Sequence, residues 1–579
     1  MKKFFAIAVL TAAVLTLSAR PSDGIHSFHI FSTNDVHGAY FDSLYVGGRT
    51  QPSLLAVSAL VNDIREKCGR ENVLLLDVGD ALQGNNASFY FNRIDTVSSH
   101  LFARMAEYME YDALIAGNHD IETGHSVYDR VVEDVGIPYM ALNAIRNDNG
   151  KTYFDDYTVL EKDGIKFLIL GYDNANIKGW LSPTLWAGMH FLPVRSCAQA
   201  DVDRLRRKVK PDVVVVAAHT GTGEGDGKVL ESEGLDLLNS LKGVDFLFCA
   251  HDHRPYTANN GDFWLINSGS HCRNVGHGTI DLEVRKGKVV ARRLSGENIA
   301  VDKTKTDERM RELFAPDYAA VKAFATRKVG ELGMPLFSRK AYAGMSDYAN
   351  LIHTVCLRQS GAQISFAAPL SFNGYVREGD VLYLDLATIY PYENQLFVIN
   401  MTGEQVRKAL EYSYDGWIRT WDSQGNVLKI RKGSDARTGT DSWSFIGRHY
   451  NFDSAAGINY TVDVTGDFGN RVHITSLAGG EPFDENATYS VALTSYRASG
   501  GGGHLSKGAG IDTDHIDDIV TDKLPDIREL VYDFLQEHPV VTPEFVGDRK
   551  LLGEWRFVPE DIAGPALEKD MHLLFPKYE

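Results

Sequence analysis

The chain has 579 residues, a formal net charge of −18, 44% hydrophobic residues and 23% charged residues. That length exceeds one ordinary domain, and the composition supports a large core, which excludes a mainly disordered protein. The acidic balance argues against a nucleic-acid polymer or an anionic membrane as main partner; a small anionic substrate stays open, because bound metal ions can reverse the local field.

Met1-Lys2-Lys3 precedes an apolar run from Phe4 to Leu17 and the small residues Ser18-Ala19, the pattern of a secretory signal over residues 1–20. The run is too short for a comfortable membrane span, and no later one reaches spanning length, so no transmembrane segment is expected. Loss of Lys2, Lys3 and Arg20 takes the charge from −18 to −21, and the mature protein is expected outside the cytoplasm, periplasmic or at the cell surface. Five cysteines without a Cys-x-x-Cys pair exclude a disulfide scaffold or a thiolate zinc site, and read as small buried hydrophobes.

His29 to Thr33 reads as the first core strand, ending in Asn34-Asp35-Val36-His37-Gly38. Asp35 and His37 are two apart, so an extended segment would point them to one side. Pro52 to Cys68 has helical apolar spacing. Val73 to Leu76 is a second strand, ending in Asp77-Val78-Gly79-Asp80, with Asp77 the more structural carboxylate. A helix over 97–108 leads to the strand Ala113 to Ile115 and then to Gly117-Asn118-His119-Asp120, where the Gly is expected to allow a sharp turn. Asp212 to Ala218 ends in His219, and Asp245 to Cys249 ends in Ala250-His251-Asp252-His253, again two apart. Phe263 to Ile266 closes the half before alternating strands to about Leu294.

Five apolar strands thus each deliver metal-capable residues at the C-terminal end, the edge where open α/β sheets bind ligands. The set is Asp35, His37, Asp80, Asn118, His219, His251 and His253. Turn chemistry accounts for Gly, Asn and Asp but not for His. Seven donors exceed one tetrahedral ion and suit two divalent ions sharing a carboxylate; the mixed donors suit Zn, Mn or Fe better than Mg or Ca.

The order Asp-x-His, Gly-Asp, Gly-Asn-His-acid, His and His-x-His resembles the calcineurin-like metallophosphoesterase superfamily. Thr33-Asn34-Asp35-Val36-His37-Gly38 and Gly79-Asp80-Ala81-Leu82-Gln83-Gly84 look like the bacterial 5′-nucleotidase family, which includes UDP-sugar hydrolases and 2′,3′-cyclic phosphodiesterase/3′-nucleotidases. The resemblance covers about residues 26 to 560. It implies an α/β sandwich of four layers, αββα, over 26–300, and a second, α+β nucleotide-binding domain over 333–560. It also implies one ion on Asp35, His37, Asp80 and His253, another on Asp80, Asn118, His219 and His251, and His119 as the catalytic imidazole. The family's orienting Asp is replaced here by Glu122, which leaves Glu122 and Asp120 both open as partner of His119.

Residues 301–332 read as a helical connector interrupted at Pro316. Beyond it, Ser346 to Gln359 reads as a helix, Ile364 to Ala367 as a strand, and Thr402-Gly403-Glu404-Gln405 as a capping box. The resemblance makes Tyr392 and Tyr496 base-stacking aromatics, Asn394 a base contact, and Asn373 and Arg377 substrate contacts. The segment after about Ala563, in a tail over 561–579, reads as surface packing.

The sequence therefore predicts a two-domain phosphohydrolase acting on a small nucleotide, a nucleoside monophosphate phosphatase first. A 2′,3′-cyclic phosphodiesterase/3′-nucleotidase or UDP-sugar hydrolase stands second, and a catalytically lapsed nucleotide-binding or adhesion protein third. The oligomeric state is not legible.

Overall fold

Long apolar runs become strands covered on both faces. The computed structural model describes residues 21–576 apart from 44, 46–49, 182, 393, 424 and 435–440, so the expected signal at 1–20 lies outside the described residues. The first half contains β1 (Gly24–Thr33), β2 (Val73–Asp77), β3 (Ala113–Ile115), β4 (Tyr139–Met140), β5 (Tyr157–Lys162), β6 (Ile165–Tyr172), β7 (Val213–Ala218), β8 (Phe246–Cys249), β9 (Pro255–Asn259), β10 (Trp264–Ser268), β11 (Asn274–Arg285) and β12 (Lys288–Ala300). Among the described residues these strands form two six-stranded sheets, ordered β12-β11-β1-β2-β3-β4 and β9-β10-β8-β7-β6-β5. Strands β1 to β4 run parallel, as do β10, β8, β7 and β6, so each sheet has one edge at which several strand ends open together.

The two-residue period of a strand sorts its side chains between layers. In β7, Val213, Val215 and Ala217 enter the core between the sheets with Phe28, Ile30, Leu74 and Leu76. Val214, Val216 and Ala218 face outward against Val202 and Leu205 of the helix Val194–Val209. On the other outer face Phe31, Leu75 and Leu114 meet Leu55 and Val57 of the helix Leu54–Cys68 and Phe102 of Leu101–Tyr108. This is the expected α-β-β-α layering.

The connector is two helices, Glu308–Leu313 and Ala315–Ala325. Pro316 lies in the first turn of the second, where its missing N–H has no helical partner to lose, so it starts a helix rather than interrupting one. Val329 already belongs to the strand Lys328–Leu332.

The second half is built on β13 (Ile364–Ala367), β14 (Gln395–Thr402), β15 (Ser454–Ala456), β16 (Thr488–Thr494) and β17 (Val520–Asp526), in the sheet order β15-β13-β16-β14-β17. Ile352, Val355, Leu530 and Phe534 of the helices Asp347–Ser360 and Ile527–Glu537 cover one face. Val406 and Leu410 of Gly403–Trp417 cover the other, and that helix starts with the expected capping box between Thr402 and Gln405.

The chain's end departs from expectation. Glu560–Leu574 is a helix whose Ala563, Leu567, Met571 and Leu574 are buried, and Phe575 stacks on Tyr342 with ring centroids 6.1 Å apart. Gly564 and Pro565, poor helix formers, hide the repeat in the sequence, but the apolar stripe still docks. Met571→Ala is therefore expected to destabilise the protein by about 2–5 kcal/mol in denaturant titration; a change under about 0.5 kcal/mol would mark the helix as a surface layer.

Candidate active site

All seven candidate ligands follow the C-terminal ends of parallel strands: Asp35 and His37 in the loop after β1, Asp80 in the loop after β2, Asn118 at the start of the short helix Asn118–Glu122 after β3, His219 after β7, and His251 and His253 after β8. The structure brings them into two groups whose donor atoms lie within 4.8 Å of one another, Asp35–His37–His253 and Asp80–His219–His251. In the first, His37 Nε2 is 3.0 Å from His253 Nε2, and His253 Nε2 is 3.3 Å from Asp35 Oδ1. In the second, His219 Nε2 is 3.0 Å from Asp80 Oδ2. Asn118 Oδ1 joins the second group 2.9 Å from His251 Nδ1.

Two of the imidazoles are held in a metal-binding pose. His37 Nδ1 lies 3.1 Å from the Gln83 carbonyl and His219 Nδ1 2.7 Å from the Val78 carbonyl. A carbonyl only accepts, so each Nδ1 carries a hydrogen and Nε2 is the atom turned toward an ion. The His37 ring is neutral with a lone pair there. Burial opposes the charge of His219, but the Asp80 carboxylate raises its pKa well above the ordinary imidazole value, so a cation would take the place of that proton. Asp80 Oδ2 and His219 Nε2 are buried and complete no hydrogen bond. Buried polar atoms left so are costly, and a divalent cation among them would remove the cost. Imidazole, carboxylate and amide oxygen are a fitting donor set for such an ion.

Burial holds His37 and His251 at about 3, so both are neutral, as ligands must be. Burial opposes ionisation of Asp35, but the hydrogen bond from His253 and the charge of His219 bring it to about 2. Burial would also raise Asp80, yet His219 and His119 hold it well below the ordinary carboxylate range.

Backbone conformation, not strand alternation, aims these side chains. Asp35, His37, Asp80, His251 and His253 have φ of 47°, 46°, 61°, 72° and 57°, in the left-handed region. The expectation that residues two apart share a side fails for His251 and His253, which diverge, one to each group; Asp35 and His37 do meet in one group, although neither has extended backbone. The role of Gly117 also differs from expectation. Its φ of −119° is ordinary; the requirement is space, because a Cβ there would lie 2.3 Å from Asp80 Oδ1.

The choice between Asp120 and Glu122 is settled by contact. Glu122 Oε2 is 2.5 Å from His119 Nδ1. Asp120 points away and accepts the backbone N–H groups of Asp80, Ala81, Leu82 and Gly117 at 2.8–3.0 Å, so it shapes the loops and is not the partner of His119. Asp77 accepts from Thr33 Oγ1 at 2.6 Å and Gly79 N at 3.0 Å, the structural part expected of it.

A cleft of about 650 Å³ opens from the histidines to the second domain. Its walls include His37, His119, His251 and His253 on one side and Tyr392, Asn394 and Tyr496 on the other. Asn373 and Arg377 do not line it: both are exposed, and Asn373 accepts from Arg339 at 3.5 Å. The loop after β13 turns both outward, so neither is placed at the wall where the sequence reading expected a substrate contact. Arg497 is buried at the cleft wall, and Asp453, Asn451, Tyr450 O and Gly501 O take its donors, so it clamps the loops there.

Four further residues escaped the sequence reading. Tyr450 stands between Tyr392 and Tyr496, with ring centroids 6.0 and 6.5 Å away, and nothing local marks it. Tyr390 lines the same wall. His271 follows β10 and its ring lies 5.3 Å from that of His37; the strand-end rule, applied one residue further, finds it. Asp173, buried with Oδ2 lacking a hydrogen-bond partner, follows β6 and is found the same way.

Comparison with known proteins agrees with this architecture. The family model described as calcineurin-like phosphoesterase matches residues 28–255, and that described as 5′-nucleotidase, C-terminal domain, matches 324–507. The trifunctional nucleotide phosphoesterase protein YfkN of Bacillus subtilis is 23% identical over 94% of this chain, which spans 40% of that longer protein. The 2′,3′-cyclic-nucleotide 2′-phosphodiesterase/3′-nucleotidase of Salmonella typhimurium is 23% identical over 89% of this chain and 86% of its own length. The solved 5′-nucleotidase precursor of Thermus thermophilus shares the fold, with a TM-score of 0.57 and 20% identity over 92% of this chain and all of that one.

Gly117→Ala is expected to lower divalent-metal affinity at least tenfold, read as bound metal after dialysis, with the far-ultraviolet circular dichroism unchanged. Undiminished metal would remove Asp80 from the candidate ligands.

Proposed function

We propose that this chain, which belongs to the 5′-nucleotidase family and carries its calcineurin-like phosphoesterase domain, is an extracytoplasmic nucleotidase that releases phosphate from nucleoside monophosphates. It is a metal-dependent phosphoester hydrolase; substrate, ligand assignment and compartment are the substance of the proposal. The observation that carries it is the cleft, which sets two imidazole–carboxylate groups across from three tyrosines of another domain. A metal-binding wall that faces a stacking wall across one cleft suits a ligand with a phosphate at one end and a planar base at the other.

Asp35, His37, Asp80 and His253 would hold one divalent ion, and Asp80, Asn118, His219 and His251 the other, with Zn, Mn or Fe favoured by the donors. When bound, such a pair polarises the phosphoryl oxygens and acidifies an attacking water. Glu122 fixes His119 through Nδ1, and Nε2 would deliver a proton to the departing ribose oxygen. Tyr392, Tyr450 and Tyr496 grip the base by stacking, and Asn394 meets its edge. The charged start and apolar run of residues 1–20 support export to the periplasm or cell surface. No helix among the described residues is long and apolar enough to cross a membrane.

The second reading is hydrolysis of 2′,3′-cyclic nucleotides and then of 3′-nucleotides, favoured by relatives of that name that align along 89% and 92% of the chain. Phosphate release from AMP, 3′-AMP and 2′,3′-cyclic AMP, each with Mn, Zn or Mg, separates the two. The first predicts the highest kcat/KM on AMP, and His119→Ala is expected to lower kcat about 10²–10⁴-fold. A higher kcat/KM on the cyclic substrate would install the second reading. Unchanged hydrolysis by Asp80→Asn would overturn the assigned centre.

A further inference from the structure

We propose that the hydroxyl of Tyr390 is a specificity contact to the polar edge of the nucleobase, made together with the Asn394 amide. This rests on the nucleotide reading above and deepens it.

Tyr390 is 1% exposed yet lines the cleft, and its Oη completes no hydrogen bond. Buried tyrosine hydroxyls nearly always find a partner. The neighbouring Tyr348 does so, donating to the Ile389 carbonyl at 2.6 Å. The Asn394 side chain approaches the Tyr390 hydroxyl closely enough to interact with it but does not satisfy it with a well-formed hydrogen bond. The two groups therefore stand together at the cleft wall, each able to donate and to accept.

The hydroxyl is held in place rather than left to drift. Tyr390 N donates to Leu386 O at 2.7 Å. Arg528, itself buried, donates from Nε to Tyr390 O at 2.9 Å and from Nη2 to Pro391 O at 2.8 Å. A fixed, desolvated hydroxyl needs no reorganisation when a ligand arrives, and it penalises a ligand that cannot pair with it.

The chemistry of the surroundings selects the part of the ligand. Ile352, Cys356 and Phe366 line the cleft from the same domain and are apolar, which suits a flat heteroaromatic ring and not a phosphate or a sugar. The tyrosines that would stack such a ring are Tyr392, two residues along, and its neighbour Tyr450. The imidazoles that suit the phosphoryl group belong to the other domain. A base seated against Tyr392 would turn a ring nitrogen or exocyclic group toward Tyr390 and Asn394.

Tyr390→Phe removes the hydroxyl and nothing else. Titration calorimetry on the full chain, with adenosine, AMP and ribose 5-phosphate as probes, and a thermal melt without ligand test the assignment. Adenosine and AMP are expected to bind about tenfold more weakly to the variant, ribose 5-phosphate equally to both proteins, and the melting temperature to stay level or rise, because an unpaired buried hydroxyl is lost. Equal affinity of both proteins for adenosine would overturn this inference alone. So would a loss that extends to ribose 5-phosphate, or a lower melting temperature, which would mark the hydroxyl as a structural group. Failure of the unsubstituted protein to bind adenosine and AMP would overturn the nucleotide reading as well.

Discussion

The centre depends on a buried carboxylate that does not face the cleft. Asp120 gathers the N–H groups of Asp80, Ala81 and Leu82 from the loop after β2 and that of Gly117 from the loop after β3. Burial and the nearby Asp80 push its pKa up to about 6, and the backbone donors oppose that push by favouring the charged form. Through this clamp Asp80 and His119 share one frame: Asp80 Oδ1 accepts the His119 N–H at 2.7 Å, so the carboxylate common to both proposed ion sites also fixes the loop of the proposed acid. Gly117 makes the approach possible by having no side chain to place there.

Around that clamp the chain accepts unfavourable backbone. Five of the seven candidate ligands lie in the left-handed region, each at a cost of about 1–3 kcal/mol for a residue that is not glycine. Such conformations persist only where the surroundings over-determine them. Here the loops spring from strands buried on both faces, so the residues before each loop have no room to relax. The stiffness of the double sheet is what permits several strained turns to meet within reach of one another.

The same logic runs to both walls of the cleft. Behind the histidine wall, Asp80 Oδ2 and His219 Nε2 are buried without hydrogen bonds; at the tyrosine wall, the Tyr390 hydroxyl is. The first pair is polarity held in readiness for a cation beneath the cleft, the second for a ligand within it. The domains are kept in register by packing as well as charge. Phe89 meets Phe324 and Tyr383 with ring centroids 6.0 and 5.3 Å away, and Arg93 lies 3.7 Å from Glu529.

Much of the centre was legible in the order of residues, because an apolar run and the turn that ends it are local properties of the chain. The runs before Asp35, Asp80, Asn118, His219 and His251 announce strands, and imidazoles in the following turns are unusual enough to mark a site. Resemblance carried that reading to Tyr392, Asn394 and Tyr496, which do line the cleft, and to Asn373 and Arg377, which do not. Where each strand end points was not legible. The divergence of His251 from His253 follows from positive φ, the pairing of His119 with Glu122 from a single helical turn, and the place of Tyr450 from the folding of a distant loop. The sequence by itself determined which residues could bind a metal or stack on a base, because side-chain chemistry and strand periodicity are written locally. Only the tertiary structure decided which of them meet, because sheet order, backbone handedness and the closing of one domain on the other are set by packing between segments hundreds of residues apart.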